Sequence, residues 1–323
     1  MFNDLPKPFF VLAPMDDVTE TVFRQIVHEC APADLYFTEF VNVDGLQSPG
    51  RPKLLKKLRF MAAEGPLVAQ LWGLNPDNFE ITAREIADGT MARELGLPEG
   101  INFSGIDINM GCPAKSEVNN GACSALINNR PLAGEIIRAT QKGAAGRLPV
   151  SVKTRLGFNQ IDFTWHEFLL GHNIDALTIH FRTRKEMSKV PAHWEDSAAI
   201  VTLRDKISPS TKLIGNGDVI DRSHGEALAK QYGLDGIMIG RGIFSDPYVF
   251  DTKPTWKTKS PEERIALFRH HVEFFANTWQ QQERPLHTLN KFCKVYISGF
   301  DGAKELREQI MATESAEGVL KLV

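Results

Sequence analysis

The chain is poor in cysteine: its 323 residues include only Cys30, Cys112, Cys123 and Cys293. These form no CxxC pair and no metal-ligand spacing, which excludes a disulfide scaffold, predicts no metal site and points to reduced thiols. Long apolar runs are missing too. None approaches the ~20 residues that cross a bilayer, so no membrane association is expected. The opening Met1-Phe2-Asn3-Asp4-Leu5-Pro6 has neither a basic nor an apolar stretch. No secretory signal is read there, and a cytoplasmic protein is expected. Net charge is nearly balanced at −3. That argues against a protein that coats nucleic acid non-specifically, while leaving room for local basic patches. No repeat or low-complexity tract is evident. No G-x-G-x-x-G follows the first apolar run, which weakens a dinucleotide-binding open sheet.

What the chain does have is alternation. Apolar, β-rich runs at Phe9–Ala13, Leu35–Glu39, Leu67–Leu71, Ile106–Asn109, Val150–Lys153, Ala176–His180, Lys212–Gly215 and Gly236–Ile239 read as strands. Helix-like stretches lie between most of them, among them Glu20–Glu29, Asn78–Arg93, Leu132–Lys142, Ser197–Lys206 and His224–Gln231. Alternation at this spacing implies βαβ units and a parallel sheet. About eight such units over ~250 residues predict an α/β fold of the TIM (β/α)8 barrel type. From Asp251 the pattern changes. Asp251–Ser260 reads as a polar linker, and Ser260-Pro261-Glu262-Glu263 as a capped helix start. Further helices are expected near Leu286–Tyr296 and Ala303–Thr313. The chain therefore divides into a barrel, residues 1–250, and a small C-terminal all-helical domain, residues 251–323.

Polar residues sit at the C-terminal ends of the predicted strands, and in a barrel those ends converge on one mouth. Asn109-Met110-Gly111-Cys112-Pro113-Ala114-Lys115 places a thiol just past the fourth strand. On its own a cysteine is more often a small apolar residue. Here the surrounding chemistry favours a reactive role. Asn216-Gly217-Asp218 and Gly240-Arg241-Gly242 follow the last two strands, where barrels bind phosphate through backbone N–H groups. Gln70 has the donor and acceptor of a ring-edge partner. Lys153 can stabilise negative charge on a reduced ring, His180 can contact ring or phosphate, and Pro14 and Met15 supply apolar surface. Together they suit an isoalloxazine with a phosphate tail, that is, FMN. Basic residues form a third group. Arg155 and Arg182 lie just past two strands, whereas Arg51, Lys53, Lys56, Lys57 and Arg59 fit a solvated face as well as a binding one.

With these residues in place, the chain resembles the FMN-dependent tRNA-dihydrouridine synthases over nearly its full length. The motifs that carry the resemblance are Ala13-Pro14-Met15, Thr38-Glu39-Phe40, Ala69-Gln70-Leu71, Asn109-x-Gly111-Cys112-Pro113, Val152-Lys153-Thr154-Arg155, His180-x-Arg182-Thr183-Arg184, Asn216-Gly217-Asp218 and Gly240-Arg241-Gly242. The resemblance implies that Cys112 donates a proton to the uracil ring. It implies that Pro14, Met15, Gln70, Lys153, His180, Asn216, Gly217, Asp218, Gly240 and Arg241 hold FMN. It also implies that Glu39, Asn109, Arg155 and Arg182 face the RNA, that NADPH reduces the flavin, and that the helical tail grips tRNA. Phe181, Met187-Ser188-Lys189 and Cys123 depart from the usual pattern, and Cys123 is expected to be structural. A thiol with an ordinary pKa of about 8.5 is expected to be protonated at neutral pH, as a donor must be. Nothing in the sequence requires more than a monomer. Two other readings remain open at this point. One is a flavin enzyme for a free pyrimidine, like the dihydroorotate dehydrogenases. The other is an RNA-binding protein without catalysis.

Overall fold

The computed structural model describes residues 1–280 and 283–323. The apolar runs form strands β1 (Phe9–Leu12), β2 (Leu35–Phe37), β3 (Val41–Asn42), β4 (Leu67–Trp72), β5 (Gly105–Asn109), β6 (Val150–Gly157), β7 (Ala176–Thr183), β8 (Lys212–Asn216) and β9 (Gly236–Ile239). All pairings are parallel. β1 pairs with both β2 and β9, and β2 pairs with β4, so the sheet closes on itself as a TIM barrel. The short β3 only extends the end of β4.

Side chains alternate across each strand, so one set fills the barrel and the other meets the helices. Phe9, Val11, Leu35, Phe37, Val68, Ala176, Ile214 and Met238 form the inner apolar cluster. The same alternation raises a polar layer above it. On β5, Asp107 and Asn109 lie two apart and share a side. On β6, Ser151, Lys153 and Arg155 do the same, as do His180 and Arg182 on β7. Register pairs Gln70 with Asp107, Asp107 with Ser151, and Asn109 with Lys153.

The helices differ from expectation in several places. The stretch expected as one helix over Asn78–Arg93 is two, Pro76–Ala87 and Thr90–Glu94, because Gly89 between them takes φ +77°. Phe163–Leu170 is a helix that the sequence pattern hides, since its run of Phe163, Trp165, Phe168, Leu169 and Leu170 has little polar face. The expected linker contains a turn of helix at Thr255–Thr258, anchored by buried Trp256.

Beyond the barrel, Ser260 and Glu263 cap the helix Pro261–Thr278 reciprocally. Helices Asn290–Tyr296, Ala303–Met311 and Ala316–Leu320 follow. Phe292 of the tail packs 4.5 Å from Phe23 of the barrel helix Thr21–Cys30 and 5.9 Å from Phe244, centroid to centroid. Buried tail residues thus belong to the same apolar cluster as the outer layer of the barrel. Polar contacts reinforce the junction. Trp279 Nε1 donates to Glu20 Oε2 at 2.8 Å, His270 meets Glu29 at 2.8 Å, and Arg284 pairs with Glu39. Among the described residues, no helix is long and apolar enough to cross a membrane.

Candidate active site

A cavity of about 530 Å³ opens at the C-terminal ends of the strands. Its size falls within the usual range for small-molecule sites. Pro14, Met15, Gln70, Lys153, His180, Asn216, Gly217, Asp218, Gly240 and Arg241 all line it, together with Asn109, Cys112, Arg155 and Arg182. Of the site residues expected from the sequence, Glu39 alone lies outside its wall.

The loop after β5 is held from several directions. Asn109 Oδ1 accepts from Gly111 N at 3.1 Å and Cys112 N at 2.9 Å, a turn that fixes the loop as the strand ends. Arg155 Nε donates to Gly111 O at 2.7 Å, and Met110 N to Lys153 O at 2.8 Å. A Cβ on Gly111 would sit 3.2 Å from Thr154 Cα, so glycine lets the loop lie flat on β6. This places Cys112 half-buried in the cavity wall.

Cys123, beside the Cys112 thiol, holds its pKa below the ordinary thiol value. Burial opposes the shift, while the Ala114 backbone and Arg155 assist it. The thiol expected to donate a proton thus sits in a setting that eases its ionisation. Cys123 packs inside the fold. It is fully buried, adopts a left-handed φ of 54°, and its thiol is pushed up because Cys112 faces it.

Burial pulls Lys153 down to about 8, with Arg155 adding to the shift and Asp107 and Cys112 opposing it. His180 is held well below its ordinary range by burial and by Arg155, Lys153, Arg182 and Arg241 around it. Arg182 Nη1 lies 3.0 Å from His180 Nε2. A guanidinium can only donate, so the neutral imidazole accepts at Nε2 and keeps its proton on Nδ1. Asp218 accepts from Arg182, from Ala192 N at 3.1 Å and from Arg241 at 3.2 Å. Gly217 takes φ +133°, and a Cβ there would sit 2.8 Å from Ala192 Cβ. The turn after β9 is a single 3-10 turn, Arg241–Phe244, following Gly240. Lys153, Arg155, Arg182 and Arg241 face the cavity against the carboxylates of Asp107 and Asp218. This cationic excess, with an amide and an imidazole beside it, fits a flat heterocycle carrying a phosphate.

Three of the residues expected to face RNA are buried and bonded within the protein. Glu39 is fully buried, accepts from Asp17 N at 2.8 Å and pairs with Arg284, so it joins tail to barrel. Arg182 is 2% exposed and gives its donors to Val190 O at 2.6 Å, His180 and Asp218. Arg155 is buried too, and bonds Gly111, Thr183 and Met187 carbonyls. The basic stretch 51–59 is largely spent on ion pairs: Arg51 with Glu85 and Glu94, Lys57 with Asp16, and Arg59 with Glu283. Sequence reasoning missed Asp107, although Asp107-Ile108-Asn109 has the period of two that puts it on the site's side. It also missed Glu20 and Trp279, whose pairing no local signal announces.

The family model described as dihydrouridine synthase (Dus) matches residues 11–323. A "Probable tRNA-dihydrouridine synthase 2" of Bacillus subtilis (strain 168) is 45% identical over 326 aligned residues, covering 100% of this chain and 95% of that protein. A "Probable tRNA-dihydrouridine synthase" of Staphylococcus aureus (strain Mu50 / ATCC 700699) is 44% identical over 317, covering 97% and 92%. Among solved structures, a 2-naphthoyl-CoA reductase in complex with 2-naphthoyl-CoA aligns with a TM-score of 0.50 at 12% identity. It covers 77% of this chain and 51% of that one, and the likeness concerns the fold alone. A match that runs from the first strand to the last residue, with relatives aligned almost end to end, leaves one assignment: the chain belongs to the dihydrouridine synthase family.

Proposed function

We propose that this chain is a tRNA-dihydrouridine synthase that reduces the C5–C6 double bond of uridines in the tRNA D-loop. The observation that carries the reading is the placement of Cys112 in one cavity with every residue expected to hold the cofactor. In this reading, FMN held in the cavity and reduced by NADPH would supply the hydride to C6. Lys153, charged below its pKa of about 8, neutralises negative charge on the ring side of the cavity. Gln70 offers an amide edge, and His180 offers Nδ1–H. The backbone N–H groups of 216–218 and 240–242, with Arg241, receive the phosphate. Cys112 Sγ gives its proton to C5 as general acid, and Asn109 and Arg155 keep its loop in place.

The uridine must leave its stack to reach Cys112, as bases do in other base-modifying enzymes. Residues 1–250 act as the catalytic barrel and residues 251–323 as the tRNA-gripping part, in a monomer working in the cytoplasm. The test is to incubate the purified yellow protein with NADPH and unmodified tRNA, then map dihydrouridine. Appearance of dihydrouridine at D-loop positions supports the reading. A colourless protein that FMN does not reconstitute, or unchanged tRNA, refutes it.

A further inference from the structure

Asp107 is a carboxylate sealed inside the barrel, which the chemistry above does not use. It is fully buried on β5. Gln70 Nε2 donates to its Oδ2 at 2.8 Å, and Ser151 Oγ to its Oδ1 at 2.6 Å. The opposite end of the Gln70 amide, Oε1, accepts from Asn109 Nδ2 at 3.2 Å. Asn109 Oδ1 in turn accepts the Gly111 and Cys112 N–H groups. These bonds form one chain, from the barrel interior to the backbone of the reactive cysteine.

The chain has a direction, and Asp107 sets it. An ionised carboxylate has no hydrogen to give, so Gln70 must turn its NH2 toward it. That leaves Gln70 Oε1 facing Asn109, which must then present its own NH2. Only in that orientation does Asn109 Oδ1 meet the two loop N–H groups. Reversing either amide alone sets like against like and leaves buried donors unpaired. Lys153, across from Asn109 in register, is the nearest countercharge.

We propose that Asp107 is a positioning residue that fixes the orientation of Gln70 and Asn109 and thereby the set of the Cys112 loop. The proposal deepens the reading of Cys112 as proton donor and rests on it for its meaning, though not for its test. It also determines what Gln70 shows to a bound ring, because one N–H and one carbonyl lone pair remain uncommitted.

The experiment follows the thiol itself, in the full-length flavin-bound protein, with no tRNA present. The rate of Cys112 alkylation by iodoacetamide is measured against pH by peptide mass analysis. In the parent protein the midpoint is expected below the ordinary thiol value. Asp107→Leu removes the acceptor, and Gln70→Met cuts the chain one link nearer the loop. Both should move the midpoint toward the ordinary thiol value of about 8.5 and slow alkylation at pH 7 severalfold. Asp107→Asn keeps an acceptor oxygen for Gln70, with Ser151 free to accept from its NH2, and should restore most of the parent profile. If the leucine variant does not fold, Gln70→Met carries the test alone. Folded variants with the parent profile overturn the proposal, even if their melting temperatures fall. If the profile shifts as expected but no protein form reduces tRNA, the proposed function fails while the positioning role stands.

Discussion

At the scale of single residues, the site is governed by how neighbours set protonation. The pKa of Cys112 is lowered, chiefly by Cys123 beside it. Proton donation needs the thiol form, so the substrate-reducing step should slow as pH rises through that lowered pKa. Cys123→Ala removes that neighbour and leaves burial to act, so this limb should shift to higher pH, and activity at pH 8 should exceed the parent's. A single-turnover pH profile with pre-reduced protein checks this, and an unmoved limb would mean the two thiols are independent. Lys153 titrates near 8, so the Cys123→Ala profile should retain a separate loss above that pH. Little of this was legible in sequence. Cys112 announced itself through its glycine and proline neighbours. Its pKa depends on a contact between positions eleven residues apart, made by a left-handed turn at a non-glycine residue. Glu39 shows the reverse failure, since its motif was plain but its partner, Arg284, lies 245 residues away.

At the scale of elements, strand ends were easier to read than the joints between elements. Buried parallel strands are nearly continuous apolar runs, so β1 to β9 were recognisable apart from the two-residue β3, and their polar ends marked the mouth. The tail's first helix was legible from its cap. The clasp between tail and barrel was not, because it joins isolated side chains from distant segments. This clasp supports a direct stability prediction. Arg284→Met leaves Glu39 buried without its ion-pair partner and should cost about 3–5 kcal/mol in urea unfolding. Adding Glu39→Gln should return part of that loss, since the unpaired charge is gone. If the double variant is as unstable as the sum of the singles, the two residues do not act as a pair. The turn after β8 gives a second test. Gly217→Ala forces a Cβ into Ala192 at a φ that disfavours it, and should weaken FMN binding at least tenfold while the barrel still folds. Unchanged flavin retention would remove this turn from the phosphate site.

At the scale of the whole molecule, the barrel and tail share one apolar cluster. Deleting residues 251–323 should therefore give an aggregating barrel, because it uncovers Phe23 and Phe244. A soluble, fully active barrel would contradict both the packing and the proposed tRNA grip. Charge reversal tests the grip more cleanly, but the residue matters. Lys291 donates to Asp17 O and so belongs to the junction, whereas Lys294 is exposed. Lys294→Glu should weaken tRNA binding and flatten its salt dependence with no change in melting temperature. The central claim is that the cavity reduces uridine with Cys112 as the acid, and one measurement addresses it most directly. Parent protein and Cys112→Ala are each loaded with FMN, reduced by NADPH, and mixed with unmodified tRNA in a single turnover. Both should be yellow and both should bleach with NADPH at similar rates. The parent should then form dihydrouridine while the alanine variant does so ~10²–10⁴-fold more slowly. Equal rates of dihydrouridine formation, or none with the parent, would contradict the account.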